Sequence, residues 1–375
     1  MVKIRNITSL ILEHFPMCCA EDWDNPGLQL GREGAPVTRV LVALELTRDV
    51  FEEAREWGAE LILTHHPFIF KPIKSVTDAS CEGRLLLDLA EAHIGLLAAH
   101  TNLDSVPHGI GEKLARDLGL SGLRPVVGTR PFEAYKIVTF TPEADAEQVV
   151  QAMHAQGAGC VGQYRDVSFW GTGEGRFTGD ASSHPAIGVA GEPERVREVR
   201  VEMIVSSREL GAVTRALLET HPYEEPAYDV FKLESQVHGL TDVYGFGVAG
   251  RLAEAVELSD LISRVREVWQ IDSVRAAGDP HRRVLQVAIL NGSGARYLGK
   301  CAAQGIDAYI TCDCGHHDFD AARRLGIALI DAGHYDTEKC IPDILADVLR
   351  QSKYGAELDV RVSTRMENPM RVYGA

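Results

Sequence analysis

Three short polar segments of the sequence carry side chains that could bind divalent metal ions: THHP (64–67), AHTNLD (99–104) and AGHYDTEK (332–339). Each segment stands where a hydrophobic, strand-like run gives way to a loop. In open α/β sheets, binding sites form in the crevice at the carboxyl ends of the strands. Segments that are far apart in the sequence are therefore expected to converge there.

These segments contain five candidate metal ligands: His65, His66, Asp104, His334 and Glu338. Neutral imidazole together with carboxylate favours borderline ions such as Zn²⁺, Mn²⁺, Fe²⁺ or Co²⁺. The set is larger than one tetrahedral ion needs when a water must also bind. A glutamate can bridge two ions, and two ions about 3.5–4 Å apart hold a hydroxide that is nucleophilic near neutral pH. The sequence thus predicts two divalent ions.

The adjacent histidines suit a pair of ions better than a single one. Neighbouring side chains on a regular strand point to opposite faces, and Pro67 biases His66 towards an extended backbone. We therefore expect His65 and His66 to serve different ions. His334 and Glu338 are four residues apart, so they share one helix face if the last helix begins early.

Each of these signals has a structural alternative. A single histidine at a strand end is more often a satisfied polar residue than a ligand. Asp104 could cap a turn, and His334 with Glu338 could form a helix start capped by Asp336. The common position of the three segments favours the metal site.

Two further features are weaker. Gly292 and Gly294 lie between a strand and a helix, where backbone N–H groups could receive a phosphate, although a tight structural turn explains them equally well. Cys312 and Cys314 could bind a metal, or form a reduced pair beside a strand end.

The hydrophobic pattern predicts an α/β fold with a mostly parallel sheet. Strands at 39–46, 60–66 and 96–104 alternate with helices, which is typical of βαβ units. The same alternation resumes after 245 and ends in a helix at 336–351.

The middle of the chain follows a different order: strand, helix, loops, strand, helix, strand. We predict a discontinuous α/β metal domain, 1–125 and 246–375, interrupted by an α+β, ferredoxin-like insertion at 126–245.

Composition excludes several classes of protein. The 375 residues carry a net charge of -16, which argues against a polyanion-binding surface and makes nucleic acid an unlikely partner. No apolar run reaches the roughly 18 residues of a membrane span, so no membrane association is expected. Eight irregularly spaced cysteines do not suggest a disulfide framework, and we expect a cytoplasmic protein with reduced thiols.

Five separated motifs resemble the GTP cyclohydrolase 1 type 2 homologue family, the Nif3-like dinuclear-metal proteins: WDNPGLQLG (23–31), LILTHHPFIF (61–70), AAHTNLD (98–104), NGSG (291–294) and DAGHYDTEK (331–339). The segments GAGCVGQYRDVSF (157–169) and HPYEEPAYDV (221–230) resemble the PII-like or CutA-like insertion of the longer members. Within this insertion, HPYEEPAYD could be a second ligand site or an interdomain contact, and we favour the contact. GTGEG (171–175) has no following helix, so it is a poor nucleotide-binding motif.

The resemblance implies a role for each candidate. His65 and His66 would each serve a different ion, with Asp104 on one ion and His334 on the other, and Glu338 would bridge the two. His100, from the family's HTN motif, would support a ligand or transfer a proton. A homohexamer is also implied. The sequence departs from the family pattern at Glu45, where aspartate is common, at Cys312, where glycine is usual, and at Glu112, where asparagine is usual.

The function that follows is metal-dependent hydrolysis of a small anionic substrate or nucleotide. Two divalent ions, two carboxylates and one hydroxide leave about one positive charge, which attracts an anion. The resemblance suggests GTP. The alternatives are a phosphoesterase that uses the same ions, and a non-catalytic metal-binding or regulatory protein whose insertion senses a ligand. Trp23 is interpreted as a packing residue rather than a stacking surface.

Overall fold

Alternating strands and helices build most of the computed structural model, which describes residues 1–162, 164–234 and 243–372. The predicted α/β fold class is confirmed. The chain divides into two units: the first comprises Met1–Arg130 and Tyr244–Ala375, and the second comprises Pro131–Val243.

The helices have the following bounds: α1 (Ile4–His14), α2 (Arg48–Trp57), α3 (Cys81–Glu91), α4 (Thr101–Ser105), α5 (Ile110–Asp117), α6 (Ala146–Ala155), α7 (Leu210–Thr220), α8 (Leu258–Val268), α9 (Leu298–Ala303), α10 (His316–Leu325), α11 (His334–Glu338) and α12 (Ile341–Arg350). The strands are β1 (Gly27–Leu30), β2 (Arg39–Ala43), β3 (Leu61–Thr64), β4 (Gly95–Ala98), β5 (Ser121–Pro131), β6 (Ala134–Pro142), β7 (Phe169–Thr178), β8 (Pro193–Ser206), β9 (Tyr228–Lys232), β10 (Val243–Glu257), β11 (Arg275–Ala277), β12 (Arg283–Ser293), β13 (Ala308–Cys312), β14 (Ala328–Asp331) and β15 (Asp359–Val362). None of the helices in the described part of the chain combines the length and the apolar character that a membrane crossing requires.

The first sheet of the first unit has the strand order β1-β4-β3-β2-β15. Strands β4, β3, β2 and β15 pair in parallel, and β1 closes one edge in antiparallel orientation. Every side chain of β3 and β4 is buried, as expected for parallel strands that are covered on both faces. Helices α2 and α3 cover one face with Phe51 and Leu89.

The second sheet has the order β11-β14-β13-β12-β10-β5. Its centre, β12 to β14, is parallel, whereas β10 and β11 pair in antiparallel orientation. The parallel centre agrees with the prediction, but the first unit contains two sheets rather than one.

The second unit is a separate antiparallel sheet with two helices. Its elements follow the order β6, α6, β7, β8, α7, β9, and its strands are arranged β7-β8-β6-β9. Helices α6 and α7 pack on one face of this sheet through residues such as Met153 and Leu217, which meet Ile137 and Val201.

The two ends of helix α2 explain how the chain enters β3, the strand that precedes the histidine pair. Helix α2 begins after Thr47, whose hydroxyl accepts a hydrogen bond from the Val50 backbone N–H. The helix ends at Gly58, which has a φ of 74°. That left-handed conformation favours glycine and turns the chain into β3.

Candidate metal centre

Strand ends from both sheets of the first unit meet at the candidate site. His65 and His66 directly follow β3, Asp104 lies in α4 just after β4, and His334 and Glu338 begin and end α11 after β14. The structure therefore brings all five predicted ligand candidates to one place.

Asp104 reaches the site from a helix and not from a strand. The prediction of a strand over 96–104 is wrong after residue 98, because the chain turns there into α4. The Asn102 side chain accepts a hydrogen bond from the His100 backbone N–H, at 2.9 Å. Such local side-chain bonds compete with the strand ladder and stabilise turns.

His334 and Glu338 share one face because the helix begins at His334. The predicted single helix over 336–351 is instead two helices, α11 and α12, which are separated at Lys339 and Cys340. The i,i+4 spacing then brings His334 Nε2 to 3.1 Å from Glu338 Oε2.

His65 is fully buried and has one unsatisfied ring nitrogen. Its Nδ1 donates to the Ala99 carbonyl oxygen at 2.8 Å, which fixes the tautomer. Its Nε2 has no hydrogen-bond partner among the described residues, and it lies 3.7 Å from Asp104 Oδ1 and 3.9 Å from Glu338 Oε1. A buried lone pair that faces two carboxylates is the environment of a metal ligand.

His66 and His334 approach the other side of Glu338. Their Nε2 atoms lie 3.0 and 3.1 Å from Glu338 Oε2. Carboxylates hold the opposite ring nitrogens: His334 Nδ1 donates to Asp313 Oδ2 at 2.7 Å, and His66 Nδ1 lies 3.9 Å from Glu45 Oε2. Both imidazoles are thereby oriented with Nε2 towards Glu338.

Glu338 joins the two halves of the site. Its Oε1 faces His65 and accepts a hydrogen bond from Asn291 Nδ2 at 3.0 Å, whereas its Oε2 faces the other two histidines. Asn291 also donates to Asp104 Oδ1 at 2.8 Å. The Glu338 carboxylate therefore stands between two groups of potential ligands, which is the position that a bridging carboxylate occupies.

The pKa values reflect crowded charge in a buried place. Burial lowers the pKa of His65 to about 3. Burial also opposes protonation of His66 and His334, but their hydrogen bonds to Glu338 raise the pKa of His66 to about 10 and that of His334 to about 9. Burial and the neighbouring Glu338 charge raise the pKa of Asp104. Burial acts in the same direction on Glu338, yet hydrogen bonds from His334 and His66 hold its pKa well below the usual range. The raised pKa values of these two imidazoles show that the buried carboxylates favour positive charge here, which is the charge that divalent ions would supply.

His100 lies beside this cluster, and Asp24 holds it there. Its Nδ1 donates to Asp24 Oδ1 at 2.7 Å, and the ring centroids of His100 and His65 are 5.1 Å apart. A ring nitrogen of each of His65, His66 and His100 lies within 4.8 Å of the others. Burial would raise the pKa of Asp24, but the hydrogen bonds from His100 and Thr101 lower it.

Two aromatic side chains stand at the exposed edge of the site. Trp23 and Phe70 pack edge to face with centroids 5.8 Å apart, and both lie within 6.4 Å of the His100 ring. They nevertheless remain 48% and 42% exposed. Trp23 therefore packs, as expected, but it also offers an open aromatic surface.

The sequence profile of the family described as Duf34/NIF3 (NGG1p interacting factor 3) matches residues 2–369. The chain belongs to this family. A Halalkalibacterium halodurans relative named GTP cyclohydrolase 1 type 2 homolog is 33% identical over 364 residues, which is 95% of this chain and 96% of the relative. A Staphylococcus aureus relative with the same name is 32% identical over 373 residues, 99% of this chain and 100% of the relative. The predicted family resemblance is confirmed.

Solved structures of similar proteins agree with this membership. A Bacillus cereus protein related to NIF3 superposes with a TM-score of 0.76 at 31% identity, covering 99% of both chains. A Staphylococcus aureus protein gives a TM-score of 0.68 at 30% identity over 99% of both chains.

Asn291, Asp313, Asp24 and Glu45 also belong to the site of this Duf34/NIF3 chain, and the sequence predicted a metal-ligand or proton-transfer role for none of them. Each contacts a candidate ligand or His100 through a hydrogen bond or an ion pair. Asp313 immediately follows β13, and this position after a strand, which the predicted ligands share, was an available signal. Asn291 lies within the buried run of β12 and carried no such signal.

The two predicted phosphate-binding glycines have different surroundings. Gly292 has a φ of 65°, and a Cβ there would lie 2.8 Å from Glu338 Oε1 and 3.4 Å from His334 Nε2. Gly294 packs against Tyr309 and Thr311 so closely that a Cβ would overlap both side chains. Phosphate binding at this turn stays a prediction, and Gly292 has a second role in keeping space beside Glu338.

Replacing Gly292 with alanine is expected to lower both stability and metal occupancy. The left-handed backbone should cost about 1–2 kcal/mol, and the added Cβ crowds the Glu338 carboxylate. Gly305→Ala is the matched control, because its φ is 73° but a Cβ there meets nothing within 4 Å. Urea unfolding should show a lower free energy of unfolding for both variants. Metal analysis should show a lower metal content for Gly292→Ala alone. Equal metal content in the two variants would contradict the crowding argument.

The cysteine pair fits the structural alternative. Cys312 and Cys314 are buried, and burial raises the pKa of Cys312 well above its usual value and that of Cys314 to about 12. Cys312 Sγ lies 3.1 Å from Thr337 Oγ1. Neutral thiols are poor metal ligands, and neither cysteine is in the groups of potential ligands found among the described residues.

Proposed function

We propose that this protein is a hydrolase that depends on two divalent metal ions. The observation that carries the proposal is the Glu338 carboxylate, whose two oxygens face different groups of imidazole and carboxylate side chains. The unsatisfied Nε2 of buried His65 supports it, since a cation would satisfy that atom.

The donor set suits the proposed ions. His65 and Asp104 would hold one ion, His66 and His334 the other, and Glu338 would bridge them. Bound divalent ions would polarise the substrate and make water nucleophilic near neutral pH. Imidazole and carboxylate donors fit Zn²⁺, Mn²⁺, Fe²⁺ or Co²⁺.

The remaining residues of the site would bind the substrate and transfer a proton. Asp24 fixes Nδ1 of His100, so Nε2 of His100 is the atom that would hold or transfer a proton at the reacting group. The exposed faces of Trp23 and Phe70 lie next to His100, where they would stack on a planar base. An anionic nucleotide supplies both the base and the negative charge.

The names of the curated relatives point to GTP as the substrate to test. One water would attack C8 of guanine and open the imidazole ring, which leaves C8 as a formamide, and a second water would hydrolyse that formamide to release formate. The protein is loaded in turn with Zn²⁺, Mn²⁺, Fe²⁺ or Co²⁺, and formate release from GTP is measured. We expect release by at least one metal form and none after chelation.

Other outcomes of this assay decide between the alternatives. Loaded protein that releases no formate contradicts GTP as the substrate. Phosphate release from nucleotides or phosphoesters would then identify a phosphoesterase. Turnover of neither class contradicts a hydrolase and favours a non-catalytic metal-binding or regulatory protein.

Trp23→Ala is expected to raise KM about tenfold while kcat stays within about threefold. Stacking of an aromatic side chain on a base contributes about 1–3 kcal/mol to binding, and the aromatic neighbours of Trp23 among the described residues are Phe70 and His100. The measurement is steady-state kinetics, with Phe169→Ala as the control because Phe169 is an exposed aromatic residue of the second unit. An unchanged KM would remove Trp23 from substrate binding.

A homohexamer is the quaternary structure that we propose from the family resemblance. Light scattering coupled to size-exclusion chromatography should give six times the chain mass of 41.0 kDa. A monomeric or dimeric mass would contradict the hexamer and would leave the metal centre unaffected, because its candidate ligands come from one chain.

A further inference from the structure

The second unit contains a cavity that the proposed hydrolase does not use. Its volume is about 660 Å³, which is within the range of about 300–1,000 Å³ that is typical of small-molecule sites. Its walls include Phe140 of β6, Phe177 of β7, Glu198 of β8 and Tyr223 from the HPYEEP segment. From the sequence, that segment was interpreted as an interdomain contact in preference to a second ligand site.

The cavity lies on the sheet face opposite α6 and α7. The helices pack on Ile137 of β6 and Val199 of β8. Phe140 is three residues after Ile137, and Glu198 is one residue before Val199. Side chains alternate between faces along a strand. The cavity is therefore separate from the hydrophobic core of this unit.

Glu198 is a buried carboxylate in the cavity wall, with only 8% of the residue exposed. Its Oε1 accepts a hydrogen bond from the Tyr223 hydroxyl at 2.8 Å. Among the described residues, Tyr223 is the one hydrogen-bond or ion-pair partner of this carboxylate. A carboxylate with one neutral donor keeps free acceptor positions, and a positively charged donor facing the cavity would form a stronger, charge-assisted hydrogen bond with it.

The charge around the cavity is negative. Asp180, Glu224 and Glu225 also line it, and Arg176 is the one basic residue among its lining residues. The Arg176 guanidinium already bonds to Glu174 at 2.7 Å. An anionic ligand would meet repulsion here, and a cation would be attracted.

The apolar part of the wall suits a cation that carries a flat ring. The rings of Phe177 and Tyr223 have centroids 6.0 Å apart and are tilted by 60° to each other. Aromatic faces attract organic cations within about 6 Å of the ring centroid. The GTGEG motif contributes as well, because a Cβ on Gly175 would overlap the Glu198 carboxylate.

We propose that this cavity binds a small organic cation, with Glu198 pairing the positive group and Phe177 and Tyr223 packing on its apolar part. The inference is independent of the proposed hydrolase, since every lining residue belongs to the second unit and none is a candidate metal ligand. HPYEEPAYD is thus better explained as part of a ligand site than as a contact alone.

The test is calorimetric titration of the full chain with three probes of one shape: benzamidine, neutral benzamide and anionic benzoate. We expect saturable binding of benzamidine at one site per chain, at least tenfold weaker binding of benzamide, and no binding of benzoate. The same result is expected in the presence of a chelator, which excludes the metal centre as the site. If benzamide binds as tightly as benzamidine, the proposal is overturned by the wild-type protein alone.

Variants then locate the site. Glu198→Gln keeps an acceptor for the Tyr223 hydroxyl but removes the charge, and it should weaken benzamidine at least tenfold. Tyr223→Phe keeps the ring and the carboxylate, and it should bind within threefold of wild type. Glu219→Gln, an exposed position on α7, is the matched control and should change nothing. Circular dichroism shows whether the Glu198→Gln variant is folded. If the folded variant binds benzamidine as tightly as wild type does, the assignment of Glu198 is overturned.

Discussion

Glu338→Gln is expected to lower kcat/KM at least 10³-fold, with the substrate that the formate and phosphate assays identify. This loss corresponds to about 4 kcal/mol of transition-state stabilisation. The reason is geometric: both oxygens of Glu338 face potential ligands, at 3.0 and 3.1 Å on one side and 3.9 Å on the other. An amide has one oxygen and no negative charge, so it cannot serve both groups.

Steady-state kinetics on metal-loaded protein gives the measurement. Glu91→Gln makes the same chemical change at an exposed position on α3 and should retain wild-type kinetics. A Glu338→Gln variant that keeps more than a tenth of the wild-type kcat/KM would show that no bridging carboxylate is needed.

Metal removal is expected to lower the melting temperature reversibly. Ions that bind only the folded state stabilise it by about 2.7 kcal/mol at a hundred times their Kd, and the candidate ligands are assembled only when both sheets of the first unit are folded. Readdition of Zn²⁺ or Mn²⁺ after dialysis against a chelator should restore the melting temperature. Differential scanning calorimetry provides the measurement.

The matched control for this effect is a variant that lacks the bridging carboxylate of Glu338. Glu338→Ala should show a smaller rise in melting temperature on metal addition than wild type, because the ions have lost their shared ligand. A wild-type melting temperature that does not respond to chelation and readdition would contradict tight metal binding by the folded chain.

The ligand candidates could be predicted because local sequence determines where strands end. β3 ends at Thr64, and His65 and His66 follow it, although the predicted strand extended over both histidines. Proline has no N–H to donate to a strand ladder, so Pro67 closes this end. The two rings do not diverge as expected, because their centroids are only 5.0 Å apart with planes inclined by 43°. Their Nε2 atoms nevertheless lie near different oxygens of Glu338.

The partners of these ligands could not be predicted in the same way. Asn291, Asp313 and Asp24 bind side chains between 21 and 187 residues away. Their types are also common in turns and caps, so nothing local separates the two roles. The pairings depend on how two sheets pack, which hydrophobic periodicity does not encode.

The strands also differ in whether the sequence could predict them. Buried runs such as β3 and β13 were recognisable because parallel strands covered on both faces read as continuous apolar segments. The antiparallel strands β1 and β11 are short and only partly buried. Their sequences carry no strong alternation, and their pairing is set by tertiary contacts.

Metal analysis of the purified protein determines whether the chain binds two ions that share Glu338. Inductively coupled plasma mass spectrometry would count the ions per chain in wild type and in Glu338→Ala prepared side by side under the same metal supply. We expect two divalent ions per wild-type chain and one or none in the variant. Equal metal content in the two proteins, or wild type without metal after supply and desalting, would contradict a dinuclear centre bridged by Glu338.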